Sequence, residues 1–143
     1  MKNLVLLSAL IFVFNLSANA QTKSASASAQ TIKSSAAYAE LLLRKTELDS
    51  EVESLLETYT EDFPKLKESR YELDLLQKDL SKLLAQPDGA KLTSALGKLL
   101  VRRATVNADL WALQNRYGAE HAQVKRARRK AASFDNAVKE IMP

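Results

Sequence analysis

Residues 59–67 read YTEDFPKLK, and residues 117–125 read YGAEHAQVK. Each stretch opens on a Tyr, crosses a short polar segment, and re-enters an apolar-periodic run at Leu66 or Val124. Pro64 suits the first turn of a helix, where its missing N–H costs nothing. Gly118 suits a left-handed helix end. Both stretches therefore read as tips at which a helix stops and its successor runs back.

Working outward from the tips, apolar residues recur at alternating steps of three and four, as an amphipathic helix requires. The runs are Tyr38 to Tyr59, Leu66 to Leu83, Leu92 to Tyr117 and Val124 to Ile141. Pro87-Asp88-Gly89 is a turn signal between the second and third, and Asp88 is placed to cap the third helix. Gly97 is the one glycine inside a predicted helix.

Sliding the chain by 58 residues lays 38–84 on 96–142 and superposes the two tips. Leu41, Leu42, Arg44, Leu55, Tyr59, Lys67 and Arg70 then meet identical residues, seven in 47 pairs. With the breakers also in register, the pattern predicts an internal duplication.

Folding each copy at its tip brings Val52 to Leu73, Leu48 to Leu76 and Leu41 to Leu83, with Tyr59 on Leu66. The second copy brings Leu110 to Ala131, Val106 to Phe134 and Leu99 to Ile141, with Tyr117 on Val124. A lone two-helix hairpin leaves part of its stripe wet. The expected fold is therefore all-α, with two tandem antiparallel hairpins over 37–86 and 88–143. These form a coiled-coil-like or four-helix assembly, within one chain or between chains. The rival geometry is one long hairpin whose helices run through the tips.

Composition agrees. Three Gly and three Pro in 143 residues argue against a turn-rich β fold. With no Cys and one His, disulfides, thiolate nucleophiles and Cys- or His-rich metal sites are excluded, and no cofactor is expected.

The N-terminus reads as an export signal. Lys2 supplies the positive start, residues 4–16 the apolar stretch, and Ala18-Asn19-Ala20 a small-x-small cleavage site. About 13 apolar residues are too few for a spanning helix, which needs roughly 20. Residues 1–20 are expected to be removed after Ala20, with no membrane span afterwards and a periplasmic or extracellular location. Residues 21–36 are polar, small and aperiodic, and read as a flexible leader.

Charge is uneven. Residues 38–84 carry seven Lys plus Arg against 12 Asp plus Glu; residues 96–142 carry ten against four. The densest basic cluster is Lys125, Arg126, Arg128, Arg129 and Lys130. It reads as an anion site for polysaccharide or lipid phosphate, or as a basic face answering the acidic hairpin of the same or a neighbouring chain. Nucleic acid is not an expected partner, since interleaved aromatics are missing. Lys45 and Arg103 share one stripe position, with Asp79 and Asp135 opposite, as seam residues that fix register or as long side chains reaching water. No paired acid and base with a pocket stands out, so catalysis is not expected. His121, aligned with Phe63, reads as a solvated tip residue.

The 59–67 tip resembles the periplasmic coiled-coil hairpin tips of polysaccharide chain-length determinant (co-polymerase) proteins. Those combine Tyr, an acidic residue, His-Pro, an aliphatic residue and a base. Residues 117–125 carry His121, with Ala122 where Pro would stand. The flanking membrane helices and kinase domain of that family have no counterpart in this sequence. The resemblance implies a surface-polysaccharide context and carries over no active residue. Together these features lead to an exported, non-enzymatic helical scaffold of the cell envelope that self-associates or holds a protein partner through its helical stripes. The alternative is a binder of anionic envelope polymers.

Overall fold

The structure is a computed structural model and describes residues 29–142. The expected signal peptide and its cleavage site lie outside those residues. Four long helices carry the fold: α1 (Ala36–Thr58), α2 (Pro64–Leu84), α3 (Ser94–Arg116) and α4 (Ala122–Ile141), with a 3-10 turn at Gly89–Lys91. Residues 29–33 form a further helical turn before α1. Among the described residues no helix is long and apolar enough to cross a membrane.

The duplication is written into the backbone. α1 and α3 are both 23 residues long and start and stop 58 residues apart. Ser35 and Thr93 cap them in the same way, each side-chain oxygen accepting the N–H of the third helical residue at 3.3 Å, from Tyr38 and Leu96 respectively. Both helices end on an extended Tyr: Tyr59 at φ −121°, ψ 157°, and Tyr117 at φ −130°, ψ 153°. At the tips Phe63 N–H donates to the Thr60 carbonyl and His121 N–H to the Gly118 carbonyl, each at 3.0 Å. Tyr59 stacks on Phe63 with centroids 3.9 Å apart, and Tyr117 on His121 at 4.3 Å. Lys67 bridges Asp62 at 2.7 Å where Lys125 bridges Glu120 at 2.6 Å. The breaks at both tips exclude the long continuous hairpin.

Two local expectations need correction. Gly118 does not adopt the left-handed conformation, because the extended Tyr117 already ends the helix. Asp88 caps the 3-10 turn through Ala90 N–H at 2.8 Å, and Thr93 caps α3. Tyr59, 46% exposed, turns its ring toward the loop and stacks on Phe63. The polar stretch before α1 also enters the fold: Ile32 is 2% exposed in the core beside Leu92 and Leu83.

α1 pairs with α2 and α3 with α4 as two hairpins, and α3 also packs against both α1 and α2. α4 has backbone contact with α3 alone. The second hairpin thus docks by laying its first helix in the groove of the first hairpin. The core runs through that joint: Leu41, Leu48, Leu76, Leu80 and Leu83 meet Leu96, Leu100 and Ala104. Each buried Leu is worth about 1.5–3 kcal/mol, against about 0–1 kcal/mol for an exposed ion pair. Apolar burial, not the opposite net charges, holds the hairpins together.

Gly97 explains itself here. A Cβ on it would lie 2.8 Å from the Ala37 Cα and 2.8 Å from the Glu40 Cβ. The missing side chain lets α3 approach α1 closely at this point. Ala104 and Ala108, both 1% exposed, continue the small-residue face.

Candidate functional site

Two sets of polar residues are set apart by the fold. The first is buried in the joint between hairpins. Glu72, 4% exposed on α2, accepts from Arg44 Nε at 2.9 Å and Nη2 at 3.2 Å, and from Thr105 Oγ1 at 2.8 Å. One carboxylate thus ties α1, α2 and α3, and its hydrogen bond raises the Arg44 pKa above the ordinary arginine value. Ser94 Oγ donates to Glu40 Oε1 at 2.8 Å at the other end of the contact. Tyr71 of α2 stacks on Trp111 of α3 with centroids 5.1 Å apart.

Arg103 pairs with Asp79, which is 2% exposed. This differs from the register expected of the seam, in which Arg103 faces Asp135 and Lys45 faces Asp79. Arg103 points out of its own hairpin toward α2, so it finds the acid of the other copy. Lys45 pairs with Asp49 one turn on, at 2.6 Å. Asp135 accepts from Asn107 Nδ2 at 3.4 Å. Asp79 Oδ2 makes no protein hydrogen bond and borders a cleft of about 490 Å³ between α2 and α4, also lined by Lys82, Arg103, Asp135 and Lys139. A pair this buried contributes little net stability but fixes which faces meet.

The second set is the basic cluster on α4. Lys125, Arg126, Arg128, Arg129 and Lys130 are all exposed. Lys125 is held by Glu120, and the other four form no ion pair among the described residues. At 3.6 residues per turn the five spread over about 200° of the helix, its whole solvent arc. None of them pairs with an acid of the first hairpin among the described residues, and the backbone of α4 approaches that of α3 alone. The joint between the hairpins uses Arg103 and Thr105 instead, positions whose role only the docking geometry reveals. Inside the second copy, Arg102 and Lys130 replace the paired Arg44 and Glu72, so two cations stand where the first copy has a bonded pair.

His121 caps α4, its Nδ1 accepting from Gln123 N–H at 3.3 Å. Among the described residues no group of three or more acids or His could hold a metal ion. No family model matches the chain, and neither does any curated protein or solved structure.

Proposed function

We propose that this chain is a non-enzymatic scaffold or assembly protein of the cell envelope, acting through the outer faces of its helices. The observation that carries the reading is the exposed apolar side chains on α1. Leu42, Leu43 and Leu56 are 45%, 60% and 40% exposed. Leu42 and Leu43 adjoin each other, and Leu56, about four turns on, lies within about 40° of Leu42 around the helix, so large apolar side chains left in water line one side of α1 as a protein contact would use them. Lys2, the apolar residues 4–16 and Ala18-Asn19-Ala20 support export, and the tip resemblance supports a surface-polysaccharide setting.

A photo-crosslinker at Leu43 in envelope-derived material should give a discrete protein adduct, and one at the exposed Ser81 should not. Absence of an adduct from Leu43 contradicts the reading. The second reading, a binder of anionic envelope polymers, is favoured by the four unpaired cations of α4. It requires retention on heparin that weakens with salt and is lost in Arg126→Ala/Lys130→Ala.

A further inference from the structure

Gly97, Leu100, Ala104 and Ala108 are the buried positions by which α3 lies in the groove between α1 and α2. Their counterparts 58 residues earlier are Ala39, Leu42, Thr46 and Ser50, all exposed on α1. Leu100 is 1% exposed and Leu42 is 45% exposed. The groove side behaves in the same way. Ala37, Glu72 and Leu83 are buried in the first hairpin, while Ala95, Lys130 and Ile141 in the second are exposed. The first hairpin therefore shows outward the face by which the second docks, and the second shows outward the groove that the first has filled.

The step between hairpins is not a two-fold exchange, because α2 packs on α3 while α1 does not touch α4. A heterologous step of this kind can be repeated between chains. We infer that α1 of a second copy of this chain docks in the groove between α3 and α4, continuing head to tail the step that joins the two hairpins. This rests on the scaffold reading and names its partner.

Charge supports the occupant. In the filled groove the acids lie on the groove side: Glu72 takes Thr105, and Asp79 takes Arg103. In the outer groove the places of Glu68, Glu72 and Arg44 are held by Arg126, Lys130 and Arg102. The incoming helix is reversed to match, with Glu47, Glu53 and Glu57 where α3 has Thr105, Trp111 and Asn115. The transposed contact sets Glu47 between Lys130 and Arg102, and Glu53 beside Arg129, which stands in the place of Tyr71. The cations left unpaired within one chain are answered by the acids of the next.

Two features depart from the pattern. The places of Asp79 and Arg103 are held by Ala137 and Lys45, so that pair is not repeated, and Ala39 stands where the internal joint has Gly97, so the helices of two copies sit farther apart than α1 and α3 do. The contact between chains is accordingly weaker than the joint within one, and assembly is reversible and rises with concentration.

Sedimentation velocity on the full chain, with Glu47→Lys and Lys130→Glu, tests this. Both sites are exposed, and circular dichroism checks that the variants fold. The wild type should grow past two copies with no stopping point as concentration rises, and less so at high salt. Each variant alone should stay monomeric. An equal mixture should grow again by alternating the two variants, since Lys130→Glu offers an intact α1 to the intact groove of Glu47→Lys, and the two reversed charges are opposite in sign across the other contact. Assembly that ignores both variants overturns this contact and leaves the scaffold reading standing. A wild type that is monomeric at every concentration overturns it, and heparin retention would then assign α4 to an anionic polymer. A monomer that also gives no adduct from Leu43 removes the scaffold reading with it.

Discussion

Gly97 of α3 and Ala37 of α1 lie so close that a Cβ on residue 97 would come within 2.8 Å of the Ala37 Cα. The neighbouring atoms are backbone and the Glu40 Cβ, which cannot swing aside. Gly97→Ala gains up to about 1 kcal/mol in helix propensity. Overpacking a close helix contact costs about 1–3 kcal/mol, so the net expected effect is destabilisation. A lower melting midpoint by circular dichroism checks this. A raised midpoint would mean the hairpins are not joined at this point.

The two copies should respond differently to the same change. Arg44→Ala leaves Glu72 buried with only Thr105, and losing one partner of a buried pair costs about 3–5 kcal/mol, toward the lower end here because Arg44 is 29% exposed. Arg102→Ala, at the equivalent place in the second copy, removes an exposed cation with no ion pair and should stay within about 0.5 kcal/mol. Chemical denaturation of both variants checks the contrast, and equal losses would refute the assigned roles.

Much of this arrangement is legible in the sequence, because its causes are local. Apolar spacing fixes the helices, and the Tyr-to-base segments at 59–67 and 117–125 fix the breaks between them. The shared tip geometry, down to the Lys67–Asp62 and Lys125–Glu120 bridges, is what the 58-residue shift implies. The docking of one hairpin on the other is not local. Matching helices by hairpin register pairs Arg103 with Asp135, but the direction of Arg103 depends on where α3 lies, and it reaches Asp79. Gly97, with Ala104 and Ala108 on the same face, carried the signal for close helix approach. Balanced charge pointed to docking through the basic cluster instead, but among the described residues no cation of that cluster pairs with the first hairpin. Ile32 is a single apolar residue in a polar stretch and gives no period to read.

The first tip carries its own titration signature. Arg70, hydrogen-bonded to Glu61, holds that carboxyl below its ordinary range, and Lys67 does the same for Asp62. A carboxyl with a depressed folded pKa contributes its stabilisation above the unfolded value, and the contribution fades as pH falls through the folded one. The tip pairs should therefore survive mild acid and open only below the usual carboxylate range. Carboxyl NMR titration checks this, with the Glu61 midpoint expected to rise in Arg70→Ala. An unchanged midpoint would show that Arg70 does not hold Glu61 in solution.

The central claim is that one step relates the two hairpins of a chain and also the outer hairpins of adjacent chains. The chain has no cysteine, so a pair can be placed without interference. Ala39 and Ala95 are exposed counterparts of the contacting Gly97 and Ala37. Residue spacing turns each away from the other's helix within one chain. Across the proposed contact they face each other, at a separation suited to a disulfide, which needs Cα atoms about 4.4–6.8 Å apart. Mild oxidation of Ala39→Cys/Ala95→Cys should give a ladder of covalent dimers, trimers and longer chains that reductant dissolves, with little crosslinking in either single variant. A protein that stays a single band on oxidation, or single variants that dimerise as readily as the double, would contradict the account.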